Sequence, residues 1–231
     1  MTVNRLFLRK TFGEQKGAFL MSENEKKPYV TYGSCGCGTC GATKEITGCR
    51  FSLSPMTDNF VSIILDSIAK VDTSKVWKAT DKLSTVYRGK RNHVLDAVKA
   101  CFIRSWREGV HMTMEATFSR GCPGDRDADF FLSEDDVLMN EPEIADIHFP
   151  VSCKIALYPM GVPNYMEYIA HVVNLAIDRG VYEKSAHYAS FLEGDVQDLF
   201  RYFDEATDYC DKNLKHYIME ITLSVNSPTQ E

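Results

Sequence analysis

Polar and apolar side chains alternate with two different periods along the chain after residue 50. Residues 50–54 and 111–119 alternate with a period of two, which predicts strands. Between them, apolar residues recur at helical spacing in residues 60–71 and again in residues 94–105. Two shorter stretches with strand character separate these helices, and Gly89 ends the second stretch. The predicted order of elements is therefore β-α-β-β-α-β.

This order of elements occurs twice. Residues 111–123 read HMTMEATFSRGCP and residues 216–228 read HYIMEITLSVNSP, so that six of thirteen positions are identical at an offset of 105. The offset holds without a gap from Phe60, which aligns with Tyr165, to Pro123. A long period that occurs only twice indicates duplicated domains, because solenoid units repeat every ~20–50 residues.

The order of elements within each repeat is that of the ferredoxin-like split fold. We therefore predict an α+β protein with tandem duplicated ferredoxin-like (βαββαβ) domains, each an antiparallel sheet with its helices on one face. The first repeat is assigned to residues 46–124 and the second to residues 151–231. Residues 1–45 are polar and Gly-rich and contain Cys, and we predict a disordered N-terminal extension. Residues 125–150 form an acidic linker.

Composition and charge exclude some classes of function. The chain is 44% hydrophobic and 25% charged, as is usual for a soluble globular protein. Its formal net charge of −6 argues against a nucleic-acid partner. No stretch approaches the ~18 apolar residues of a membrane span, and the N-terminus lacks the apolar segment of a secretory signal. We predict a cytoplasmic protein that is not membrane-embedded, whose eight Cys are thiols.

The alternation assigns a set of short polar side chains to the sheet face that points away from the helices, here called the open face. In the strand 111–119, for example, Met112 and Met114 point toward the helices while Thr113 and Glu115 point away. A face that only meets water would more often carry Lys, Glu and Arg. The residues assigned to the open face as candidate ligand contacts are Ser52, Ser54, Thr85, Tyr87, Glu115, Thr117, Ser190, Glu220 and Thr222.

Hydroxyl groups beside a carboxylate suit a ligand edge that presents amino and ring-nitrogen groups. An aminopyrimidine is such a ligand. Glu115 or Glu220 could accept a hydrogen bond from its exocyclic amine, while Thr85 or Ser190 binds a neighbouring position.

Five stretches of the chain resemble the YkoF-like family of thiamine- and hydroxymethylpyrimidine (HMP)-binding proteins: GCRFSLSPMTDNF, DTSKVWKATDKLSTVYRG, TFSRGCPGD, ALYPM and HYASFLEGD. The resemblance covers roughly residues 48–231. It implies a homodimer, a thiamine or HMP site in each half, and a non-catalytic role in salvage or uptake beside a transport system. The ligand positions that it implies are Ser52 and Thr85 in the first half and Tyr158 and Ser190 in the second.

The two halves differ at the implied positions, which predicts two sites of unequal affinity or a single working site. Ser52 is replaced by Ala156, Ser54 by Tyr158, and Thr85 by Ser190. Tyr87, Tyr158 and Tyr188 are candidates for stacking or cation–π contact with a thiazolium ring.

Two further groups of residues have spacings that resemble metal sites, although we predict no cofactor and no metal. Cys35, Cys37 and Cys40, with Cys49 as a fourth ligand, could bind a soft metal, but the Gly-rich surroundings favour a tail without one. Asp125, Asp127, Asp129 and Asp136 imitate a calcium loop that lacks its glycine and its flanking helices.

Catalytic motifs are absent from the sequence, so we predict that the protein is not an enzyme. One rival is a small-molecule enzyme that uses Glu115 or Glu220 as acid or base, aided by His111 or His216. The other rival is a regulatory module that senses a metabolite.

Overall fold

The structure is a computed structural model that describes residues 45–121 and 128–229. The first repeat comprises β1 (Thr47–Pro55), α1 (Phe60–Ile68), β2 (Trp77–Thr80), β3 (Thr85–Gly89), α2 (Arg91–Ser105) and β4 (Met112–Arg120). A 3₁₀ helix (Asp129–Ser133) and α3 (Glu141–Ile144) follow. The second repeat comprises β5 (Pro150–Pro159), α4 (Tyr165–Asp178), β6 (Tyr182–Ala186), β7 (Ala189–Asp195), α5 (Val196–Asn213) and β8 (Tyr217–Val225). The predicted fold class is confirmed.

The two repeats share one eight-stranded antiparallel sheet, with the strand order β2-β3-β1-β4-β8-β5-β7-β6. The repeats meet where β4 pairs with β8 over nine residue pairs, from Met112 opposite Val225 to Arg120 opposite Tyr217. The equivalent residues Ala116 and Ile221 lie opposite each other, so the repeats are related by a pseudo-twofold axis at this point. The sequence predicted the two halves but not their fusion into one sheet.

The helix layer has a tightly packed centre. Helices α2 and α5, here called the central helices, pack against each other across the boundary between the repeats. The rings of Phe102 and Phe200 lie 6.3 Å apart there, and Phe149 packs 6.0 Å from Phe102. All three rings are buried, so the hydrophobic core is continuous through both repeats.

The acidic linker docks on α2. The Asp96 carboxylate accepts hydrogen bonds from the backbone amides of Asn140 and Glu141 at 3.0 and 2.9 Å, and these amides begin α3. The Lys99 ammonium lies 2.6 Å from a carboxylate oxygen of Glu141. Asp96 and Lys99 are both buried. The hydrogen bonds offset the desolvation cost of Asp96, and the opposite charge of Glu141 offsets that of Lys99.

Gly121 lies at the junction between the repeats, immediately after β4. Its φ of +83° is left-handed, and a Cβ there would overlap the backbone carbonyl oxygen of Lys215, just before β8. Gly161 is a matched control, because its φ is +71° and a Cβ would meet nothing within 4 Å.

We predict that Gly121→Ala loses about 1–3 kcal/mol more unfolding free energy than Gly161→Ala. Both variants pay the conformational cost of a left-handed alanine, so the difference isolates the overlap with Lys215. Urea denaturation of the two variants measures it. Equal losses of unfolding free energy in the two variants would show that the backbone around Gly121 shifts to accommodate the added Cβ without strain.

Candidate functional site

A cavity of about 830 Å³ lies between α4 and strands β5, β6 and β7 of the second repeat. Ile155 and Leu157 of β5 line its sheet side, and Ile169 and Val173 of α4 line its helix side. The volume falls within the range of about 300–1,000 Å³ that is usual for small-molecule sites. The cavity therefore lies on the helix side of the sheet.

The cavity exists because α4 is buried only toward its C-terminal end. Val172 and Ala176 are its only buried residues. The Tyr202 hydroxyl on α5 donates a 3.1 Å hydrogen bond to the backbone carbonyl of Val172. Tyr165 and Met166, at the start of α4, remain 51% and 58% exposed. The N-terminal half of α4 therefore stands away from the sheet.

Small side chains keep the sheet side of the cavity open, and they include its polar groups. Ser190 of β7 is 8% exposed and lies opposite Ser185 of β6. Ser185 is within 3.0 Å of the Tyr182 hydroxyl, whereas the Ser190 hydroxyl has no hydrogen bond to the part of the chain that the structure describes. Asn174 of α4 adds a side-chain amide. The cavity thus offers hydroxyl and amide groups within a largely apolar wall.

Tyr202 completes the inner end of the cavity. Its ring is fully buried, and burial, followed by the nearby Cys153 and Cys210, raises the pKa of its hydroxyl well above the ordinary value. The hydroxyl therefore stays protonated and remains a donor to Val172.

The first repeat has a related but different arrangement. Ser67 is the only buried residue of α1, and its hydroxyl shares its hydrogen between the carbonyl of Ile63 in α1, at 2.6 Å, and that of Arg104 on α2, at 2.8 Å. Ala97 stands where the second repeat has Tyr202. The Thr85 hydroxyl, equivalent to that of Ser190, lies 3.0 Å from the Thr80 hydroxyl and is engaged with it. The two repeats therefore do not present the same groups.

The prediction that Thr85 and Ser190 lie on the open face is wrong. Thr85 is opposite Phe51 and Ser190 is opposite Ile155. Directly opposed residues of an antiparallel pair share one face of the sheet. Both Phe51 and Ile155 are buried on the helix side, so Thr85 and Ser190 face the helices.

The placement of Tyr87 on the open face is wrong for the same reason. Tyr87 is opposite Cys49 and is 1% exposed. Its hydroxyl lies 3.4 Å from the Cys101 sulfur in the core, where burial raises the pKa of the tyrosine. Tyr87 therefore presents no ring surface for a ligand.

Other predicted residues do lie on the open face. Ser52 is opposite Glu115, and Ser54 is opposite Thr113. At the centre, a hollow of about 270 Å³ is lined by Glu115, Thr117, Lys154, Glu220 and Thr222, among others.

The Tyr158 hydroxyl donates a 3.3 Å hydrogen bond to Glu220, and the charge of Glu220 is the main cause that raises the pKa of Tyr158. Tyr158 also borders the cavity under α4. It is thus the predicted residue that lies between the two candidate locations.

The hairpin tips at the two ends of the sheet differ in their hydrogen bonding. In the first repeat, the Asp81 carboxylate accepts from the backbone amides of Leu83 and Ser84 and pairs with Arg50 at 2.9 Å. The bond from Leu83, followed by the Arg50 contact and the bond from Ser84, lowers the pKa of Asp81 to about 2. In the second repeat, Ala186 occupies the position of Asp81.

Tyr188 lies at the tip of the second hairpin, at the mouth of the cavity. Its side chain is 97% exposed and its backbone has a φ of +69°. This conformation is uncommon for a bulky residue.

Five residues that were weighed as possible metal ligands lie outside the described residues: Cys35, Cys37, Cys40, Asp125 and Asp127. Cys49, the suggested fourth ligand, is buried in the core as a free thiol. In the part of the chain that the structure describes, no cluster of His, Cys, Asp or Glu could hold a metal ion. Nor does any helix there have the length and apolar character needed to cross a membrane.

Fold and cavity together define a tandem ferredoxin-like protein with a cavity of about 830 Å³ between helix and sheet. The model of the YKOF-related Family matches residues 46–125 and 150–230. The chain therefore belongs to the YKOF-related family, as the resemblance predicted. It is 42% identical to "Putative HMP/thiamine-binding protein YkoF" of Bacillus subtilis (strain 168) over 192 residues, which is 83% of this chain and 96% of that protein.

Sequence reasoning missed Tyr202, Asn174 and the apolar residues of α4 as cavity residues. A signal was available in the repeat itself. At the offset of 105, Tyr202 replaces Ala97 and Asn174 replaces Ala69, so the second repeat carries polar groups where the first has alanine.

We predict that Tyr202→Phe speeds amide hydrogen exchange in α4 by roughly two- to tenfold without unfolding the protein. The variant keeps the ring but removes one buried hydrogen bond, which contributes about 0.5–1.5 kcal/mol. Exchange measured by mass spectrometry on peptides within Tyr165–Asp178 reports the change.

Ser67→Ala provides the matched control, because it removes the equivalent attachment of α1 to α2. It should speed exchange in α1 and leave α4 unchanged. Unaltered α4 exchange in Tyr202→Phe would show that the hydroxyl does not hold the helix.

Proposed function

We propose that this protein binds thiamine or its HMP half without chemical conversion, and that the main site is the cavity under α4. The observation that carries this proposal is a cavity of about 830 Å³ that contains the Ser190 hydroxyl, which forms no hydrogen bond with the described residues. The name of the Bacillus subtilis relative supports the choice of ligand.

The cavity suits a flat nitrogen heterocycle. Ile155 and Leu157 on one side and Ile169 on the other can cover the two faces of a ring. The hydroxyl of Ser190 and the amide of Asn174 can each both donate and accept, which matches the alternating nitrogen and amino groups of an aminopyrimidine edge. The ligand edge is thus bound by polar groups and its faces by apolar ones.

The mouth of the cavity suits the cationic half of thiamine. Tyr165 and Tyr188 both border it. An aromatic face within about 6 Å of a cation contributes ~0.5–2 kcal/mol, depending on desolvation. In this proposal the pyrimidine enters first and the thiazolium stays near the tyrosines.

The first repeat holds a second, unequal site under α1. Three apolar residues of α1, namely Phe60, Val61 and Leu65, are 49–62% exposed there, as expected for a helix that stands off the sheet. Thr85 must break its contact with Thr80 to bind a ligand, and Ala97 supplies no aromatic ring. We therefore expect weaker binding in the first repeat.

The open face remains the competing location. Glu115, Thr117, Glu220 and Thr222 border its hollow and could bind the same aminopyrimidine edge. Its volume of about 270 Å³ is below the usual range for ligand sites, which favours the cavity under α4.

The proposed biological role is salvage or uptake of the vitamin beside a transport system, in the cytoplasm. The resemblance to the YkoF-like family implies this role, and a binding protein that performs no reaction needs a second component that supplies or receives its ligand.

We predict that Ser190→Ala weakens the tighter thiamine site by about 1–2 kcal/mol, or roughly 5- to 30-fold in Kd, since a buried hydrogen bond is lost. Thr85→Ala should weaken the other site. Isothermal titration with thiamine and HMP measures both, and chromatography of the released ligand should recover it unchanged.

Thr222→Ala is the control, because Thr222 lies at the open-face hollow. It should leave both dissociation constants unchanged. If Thr222→Ala weakens binding while Ser190→Ala does not, the ligand binds on the open face. Conversion of the ligand would establish an enzyme instead.

We also propose that the open face forms a homodimer interface. It carries exposed groups of both charges, with Glu115 and Glu220 near the pseudo-twofold axis and Arg50 and Lys154 beside them. A second copy can therefore place an acid opposite each base.

Sedimentation should give twice the chain mass of 26.2 kDa. Lys154→Glu should weaken the dimer at least about tenfold, since a like-charge contact costs several kcal/mol. Lys70→Glu, on an exposed residue after α1, should not. A monomer at all concentrations, or a dimer insensitive to Lys154→Glu, would reject this interface.

A further inference from the structure

The tip of the β6–β7 hairpin is held in an unfavourable backbone conformation. Ala186 pairs with Ala189, so His187 and Tyr188 form a two-residue turn. Tyr188 has a φ of +69°, a conformation that turns normally assign to Gly or Asn. Strain of this kind concentrates at clamps and switches, where surrounding contacts or a ligand compensate it.

The strained residue is also the most exposed large hydrophobic side chain of the described structure. Tyr188 is 97% exposed, and in this position it borders the mouth of the cavity under α4. An aromatic side chain contributes to stability or binding when its ring is buried against apolar groups. The apolar mouth of the cavity is a surface next to Tyr188 that could bury its ring. The ring therefore lies at the mouth of the cavity with its surface exposed.

The equivalent hairpin of the first repeat is held by side chains. Leu83 occupies the position of Tyr188 and is 87% exposed. Its turn is fixed by Asp81, whose carboxylate accepts from the amides of Leu83 and Ser84 at 2.8 and 2.9 Å. Arg50 pairs with Asp81 and also donates to the Ser84 hydroxyl.

These ties have no equivalent at the second tip. Ala186 replaces Asp81 and Ala189 replaces Ser84, so neither a carboxylate nor a hydroxyl is present to hold the turn. Among the described residues, strand β6 is at the edge of the sheet and pairs only with β7, with a register shift between Tyr182 and Lys184. The tip that carries the strained tyrosine therefore lacks the two side chains that fix the turn of the first repeat.

We propose that the β6–β7 tip is a lid, and that Tyr188 closes over the ligand in the cavity under α4. This inference rests on the proposed function and extends it to kinetics. Closure places the tyrosine ring against the bound heterocycle. The second repeat then releases its ligand slowly, while the first repeat, whose tip is tied by Asp81, releases its ligand without such a step.

Stopped-flow dissociation of thiamine from the full chain tests the lid. The wild-type protein should show a fast and a slow phase. Tyr188→Ala should accelerate the slow phase about tenfold and change the association rate less than twofold, since lost contacts act mainly on dissociation. Leu83→Ala, the matched control, should leave the slow phase unchanged.

Hydrogen exchange of a peptide spanning residues 186–190 provides a second readout. Saturating thiamine should slow exchange there, and no such slowing should occur at residues 81–85. An unchanged slow phase in Tyr188→Ala, or tip exchange that thiamine does not alter, overturns the lid while leaving binding intact. Absence of thiamine and HMP binding by the wild-type chain in calorimetry overturns the proposed function, and the lid with it.

Discussion

The pairing of β4 with β8 determines how the two repeats and their helices are arranged. It joins two βαββαβ units into one sheet and brings α2 and α5 side by side over its centre. These helices have neighbours on both flanks and bury long stretches of their surface. Among the described elements, helices α1 and α4 have a helical neighbour on one flank only, since α1 packs on α2 and α4 packs on α5. The outer helices are therefore the ones that can stand away from the sheet.

Within the part of the chain that the structure describes, the stand-off of α4 leaves apolar surface exposed. Fully burying a side chain such as Met contributes about 1.5–3 kcal/mol, and Met166 remains more than half exposed. A bound heterocycle would bury part of this exposed apolar surface, and Ser190 would form a hydrogen bond with the polar edge of the ligand. The same helix placement that weakens local packing thus creates the conditions for binding a small ligand.

The repeat, the order of the elements and the orientation of the long strands could be predicted from the sequence, because strands such as β4 and β8 alternate over nine residues. The orientation of β3 could not, since five residues beginning at Thr85 contain too few alternations to decide which face is buried. The cavity could not be predicted from the sequence either. The periodicity of α4 is that of any amphipathic helix, and its distance from the sheet is set by tertiary packing, which includes the contact of Val172 with Tyr202. The prediction that polar side chains mark the site directed attention to the open face, whereas the larger space lies on the helix side.

A crystal structure of the protein grown with thiamine would distinguish the cavity under α4 from the open face as the binding site. We expect electron density for the pyrimidine between α4 and β5, with a ring nitrogen or the amino group within hydrogen-bonding distance of the Ser190 hydroxyl. Thiamine found instead on the open face beside Glu115 or Glu220, with the space under α4 empty, would contradict this expectation.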